Sequence, residues 1–80
     1  MPGVGEPWDE LEYRELFEAY PLGGSDPSGD GLRRIARRLD RSVAAIRAQW
    51  DDARGHCRGN QSAASDGLQS YLDRTGACRG

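Results

Sequence analysis

The sequence predicts an all-α fold, a bundle of three short helices whose last two are joined by a tight turn. Two observations carry this. Apolar residues recur at i, i+3, i+4, i+7 in two separate windows and at a related spacing in a third. Capping and helix-ending residues stand at the edges of those windows. Eighty residues allow one domain with a small core, because a chain of this size buries only about 60% of its unfolded surface.

Residues 1–7, with two Pro and two Gly, are expected to be disordered, and the domain is expected to span residues 8–55. In "PWDELEYRELFEAYP" Asp9 is a good N-cap, and Glu12 stands three residues on, as a capping box requires. Trp8 can staple onto Tyr13. Tyr13, Leu16, Phe17 and Tyr20 form the inward stripe, and Pro21 stops the helix. "PLGGSDPSGDG" is loop by composition. Asp30 is then expected to cap a second helix, with Leu32, Ile35, Ala36 and Leu39 inward. The apolar phase breaks at Asp40-Arg41. Ser42 caps a third helix that carries Val43, Ile46, Trp50 and Ala53 inward and ends at Gly55. Two short helices separated by three or four residues cannot lie as a long antiparallel hairpin. The spacing matches a helix-turn-helix. Residues 56–80 read as a flexible tail in which Leu68, Tyr71 and Leu72 have the spacing of a short helix over 66–75. It could dock on the core, self-associate or form only transiently.

The formal charge of −2 conceals a segregation of signs. Residues 1–30 hold eight acids and one arginine, net −7, whereas residues 31–60 hold eight arginines and three acids, net +5. A polyanionic partner suits the second segment better than the net charge implies. Two cysteines and one histidine are too few for a four-ligand zinc site, so no metal and no cofactor is expected. Cys57 and Cys78 are expected to be reduced thiols, although a disulfide between them would close a loop in the tail. The chain has no long apolar run and no leader pattern at its start. It is expected to act inside the cell, away from membranes. The lone His precedes the tail, and no phosphate-binding glycine loop follows a strand, so no catalytic residue is expected.

From Trp8 to Arg54 the residues resemble the Myb/SANT-like group of helix-turn-helix domains, which share a homeodomain-like three-helix bundle. Trp8, Asp9, Glu12 and Leu16 match the opening of the family pattern, and "IARRLDRSVAAIRAQW" is similar to its second half as found in bacterial forms. Ala36 falls where the two helices of the turn approach, and Ile46 fills the angle between them. Asp40 stands where the motif favours Gly, being one of the few other residues that tolerates positive φ. Ile35 replaces the family's middle Trp, and the loop from Pro21 to Gly31 is longer than usual.

The resemblance implies double-stranded DNA as partner and a role as a transcriptional regulator or accessory factor. The third helix would enter the major groove while the second lies along the backbone. Ala44, Arg47, Ala48 and Asp51 are then the expected base contacts, with Arg47 the candidate for guanine. Arg33, Arg34, Arg37, Arg38, Arg41, Ser42 and Arg54 are the expected phosphate contacts. Trp8, Phe17 and Trp50 are expected in the core. Asp51 and Asp52 are the feature a protein-binding SANT relative would show, so a protein partner held by the same helix is the alternative. A homodimer through the 68–72 segment is a further route to a larger interface.

Overall fold

The computed structural model describes residues 8–60 and 62–79. It is all-helical, with four α-helices and, among the described residues, no strand. Helix α1 spans Glu10–Ala19, α2 Gly29–Leu39, α3 Val43–Cys57 and α4 Asp66–Thr75, and a 3-10 turn covers Ala77–Arg79. The disorder expected of residues 1–7 lies outside the described residues.

Helix α1 starts as its sequence dictates. The Asp9 carboxylate accepts from the Glu12 amide at 2.9 Å, and the Glu12 carboxylate accepts from the Asp9 amide at 3.2 Å. The Trp8 and Tyr13 rings stack with centroids 5.6 Å apart. Helix α2 starts earlier than expected. Its N-cap is Ser28, whose Oγ accepts from the Gly31 amide at 3.0 Å, and Asp30 lies inside the first turn instead. There its carboxylate still favours the positive end of the helix dipole and pairs with Arg33. Asp40 closes α2 in the left-handed region at φ 56°, and the Arg41 amide donates back to the Ala36 carbonyl at 2.9 Å. Ser42 caps α3 by accepting from the Ala45 amide at 3.1 Å, so only residues 40–42 separate α2 from α3.

Helix α3 does not end at Gly55. It continues to Cys57, because a glycine inside a helix costs only about 1 kcal/mol and here its bareness is used. A Cβ at position 55 would come within 3.1 Å of the Ala63 Cβ, so the loop after the helix packs directly on the Gly55 backbone. The stop is supplied by Gly59 at φ +106°. Val43 departs from its expected place too. It sits at the first helical position, 39% exposed, before the helix turns its apolar face onto the core.

The core joins Tyr13, Leu16 and Phe17 of α1, Leu32, Ile35 and Ala36 of α2, Ile46, Trp50 and Ala53 of α3, and Leu68, Tyr71 and Leu72 of α4. Residues 66–75 are thus a fourth wall of the bundle, with Leu68 and Leu72 almost wholly buried. The side chains of Leu68, Tyr71 and Leu72 face this chain's own core. Tyr71 packs its ring against Tyr13 and Phe17 at 5.4 and 6.0 Å between centroids. The thiols expected to be reduced are joined instead. Cys57 and Cys78 form a disulfide with Cα atoms 5.3 Å apart, because α4 brings the chain back so that the 3-10 turn meets the last turn of α3.

Candidate nucleic-acid interface

Helix α2 has Leu32, Ile35 and Ala36 buried and Leu39 half-buried, which forces the four residues between them outward. Arg33, Arg34, Arg37 and Arg38 are all exposed and, with Asp30, line a shallow open depression. Arg33 stands over Arg37 and Arg34 over Arg38, one helical turn apart, an arrangement that is unfavourable between like charges. Arg33 pairs with Asp30, and Arg38 reaches Glu15 of α1, Nε to Oε2 2.6 Å. Arg34 and Arg37 have no ion-pair partner among the described residues.

Arg41, in the turn, is placed quite differently. Its side chain is 5% exposed, and its guanidinium pairs through Nε and Nη2 with the Glu12 carboxylate, the latter at 2.8 Å, and lies 4.8 Å from the Trp8 ring centroid. The Arg41 guanidinium holds the Glu12 carboxyl below its usual value, against a smaller opposing effect of burial. Arg41 therefore ties the turn to α1 rather than presenting a charge to a phosphate. The Ser42 hydroxyl is exposed, and its oxygen already caps α3.

On the outer face of α3, Ala44 and Ala48 are exposed, as is Asp51, while Arg47 and Arg54 are half-buried. Both guanidinium groups lie over the Trp50 indole, 6.0 and 5.4 Å from its centroid. Arg47 pairs with Asp51 at 3.2 Å, one turn on, and with Asp26 at 3.4 Å. Arg54 pairs with the other oxygen of the same Asp26. Burial, then the neighbouring Asp51, pushes the Asp52 carboxyl up.

Asp26 comes from the loop between α1 and α2, whose length implies that its residues can reach a groove or partner, although no single residue of it stands out in the sequence. The loop is fastened at both ends, with Leu22 and Pro27 buried and the Trp50 Nε1 donating to the Tyr20 carbonyl at 2.9 Å. Its unusual length was the one sequence signal that pointed to it. The loop crosses the face of α3 at Arg47 and Arg54, leaving Ala44 and Ala48 of the first turns open. Among the described residues there is no cluster of His, Cys, Asp and Glu fit to hold a metal ion, and no helix long and apolar enough to cross a membrane. Comparison with protein-family models, with curated proteins and with solved structures returned no match.

Proposed function

We propose that α2, the turn at residues 40–42 and α3 form a helix-turn-helix of the Myb/SANT kind that binds double-stranded DNA inside the cell, as a regulator or accessory factor. The observation that carries this reading is the α2 face. Four exposed arginines share it, and two of them, Arg34 and Arg37, have no ion-pair partner among the described residues. Stacking like charges on one face is costly to the free protein and is relieved by a row of phosphates. Arg33, Arg34, Arg37 and Arg38 hold the backbone. The N-terminal end of α3 enters the major groove, where Ala44 and Ala48 allow close approach to the base edges. Asp51 sits at the far edge of this contact. Arg41 is left out of the interface because Glu12 holds it.

The test is fluorescence anisotropy of a labelled random-sequence duplex at two salt concentrations, with Arg34→Ala/Arg37→Ala as the variant. Binding that weakens steeply with salt, and a variant whose log K against log salt slope is shallower by about 2, are expected if each arginine neutralises one phosphate. No binding at low salt overturns the reading. One observation favours the alternative, a protein partner on the same helix: Asp26 and Asp51 together place two carboxylates on the outer face of α3. Association with a protein through that face would weaken far less steeply with salt than a complex held by a row of phosphates.

A further inference from the structure

Asp26 bridges two guanidinium groups that are separated by two turns of α3. One carboxylate oxygen faces Arg47 and the other faces Arg54, while the Trp50 indole forms the floor beneath both arginines. A guanidinium pair with each head presented to a separate oxygen of one anion is the geometry that also receives a phosphodiester, whose two unesterified oxygens are similarly disposed. The bridging carboxylate is 51% exposed, so solvent and ligand reach it from outside. The backbone on either side of it is anchored through Leu22 and Pro27, so the side chain can leave without unpacking the loop.

We propose that Arg47 and Arg54 form a two-guanidinium anion site in which Asp26 is the resident occupant and a DNA phosphate the exchanging one. This rests on the DNA reading above and adds to it a gate. Asp26 competes with the backbone for the same two arginines, so Arg47 and Arg54 contribute to affinity only once the carboxylate is displaced. A weakly held or non-specific duplex is then gripped by α2 alone. A duplex seated deeply enough to place a phosphate beside Trp50 recruits the second pair. Asp51 keeps one edge of Arg47 occupied throughout and holds its head in place for either partner.

The test compares duplex affinity, by the same anisotropy titration, for the wild-type protein, Asp26→Asn, and Glu18→Gln. The last removes an equal charge from the exposed face of α1 and controls for the change in net charge. Asp26→Asn is expected to bind about five to ten times more tightly than Glu18→Gln, and that gain is expected to vanish when Arg47→Ala/Arg54→Ala is added. Equal binding by Asp26→Asn and Glu18→Gln overturns the gate while leaving the DNA reading standing. A gain that survives removal of both arginines overturns the assignment of the site. No binding by any of the proteins at low salt overturns the DNA reading and the gate together. Thermal melts of each variant, monitored by circular dichroism, confirm that affinities are compared between folded proteins.

Discussion

Arg41 was expected among the phosphate contacts because it continues a run of exposed-looking arginines, yet it is the most buried cation for which an ion pair is described. The difference lies in what stands opposite. The Glu12 carboxylate, which closes the capping box of α1, also pairs with the guanidinium, and the Trp8 ring lies against it. A charge enclosed in this way depends on its partner, so removing Arg41 takes from the part-buried Glu12 carboxylate the guanidinium that pairs with it. Arg41→Ala is expected to destabilise the domain by about 3 kcal/mol in urea unfolding, whereas Arg37→Ala, on the exposed face, should change stability by less than about 0.5 kcal/mol. The pair also sets an acid limb. Glu12 has a lower pKa folded than unfolded, so its contribution is complete above the ordinary glutamate value and is lost as pH falls through the depressed folded value. Stability measured from neutral pH down to strongly acidic pH should therefore fall less steeply in Glu12→Gln than in the wild type.

At the scale of elements, local chemistry was legible and chain path was not. Asp9, Glu12, Asp40 and Ser42 act where the sequence places them, because each serves backbone groups within a few residues of itself. The errors came where two residues could do one job. Ser28 and Asp30 are both good N-caps. The choice fell to Ser28, whose hydroxyl accepts from Gly31 while the chain around it is pinned by the buried Pro27 and by Leu32. Gly55 and Gly59 could each end α3, and the loop packing on Gly55 settled the matter in favour of Gly59. In the candidate site the α2 arginines and the outward alanines of α3 were legible from helical periodicity. Asp26 was not, because its partners lie 21 and 28 residues away and no local pattern records such a pairing. Ser28→Ala is accordingly expected to cost about 1 kcal/mol in urea unfolding. Asp30→Ala, which loses an exposed pair and a dipole contact, should cost no more than about half of that.

Across the whole molecule, the decisive element is the one the sequence least determined. Residues 56–80 carry few apolar side chains, and their composition resembles a linker, but Leu68, Tyr71 and Leu72 close the side of a bundle whose other helices leave that space open. A core this small gains much from enclosing Trp50, Leu16 and Ile46 fully, and all three are at 0% exposure with α4 in place. Arg74 of α4 adds a pair with Glu10 of α1 at 2.6 Å, and the Cys57–Cys78 disulfide fastens the far end. Covalent closure over a sequence separation of 21 residues restricts the unfolded chain by about 3 kcal/mol. Such bonds are rare in reducing compartments, and a DNA-binding role inside the cell would expose this one to reduction. Without the bond, α4 is held to the rest of the bundle by its packing and ion-pair contacts alone. Cys57→Ser/Cys78→Ser, or the wild type under reducing conditions, is therefore expected to melt roughly 15 °C below the oxidised protein while remaining helical and cooperative at room temperature. Adding Leu68→Ala to the reduced form should abolish the cooperative transition, because losing a fully buried leucine costs a further 2 to 5 kcal/mol, about what a domain of this size has left. A reduced double-serine protein that melts at the oxidised temperature would mean that the bond merely records a proximity which packing already enforces.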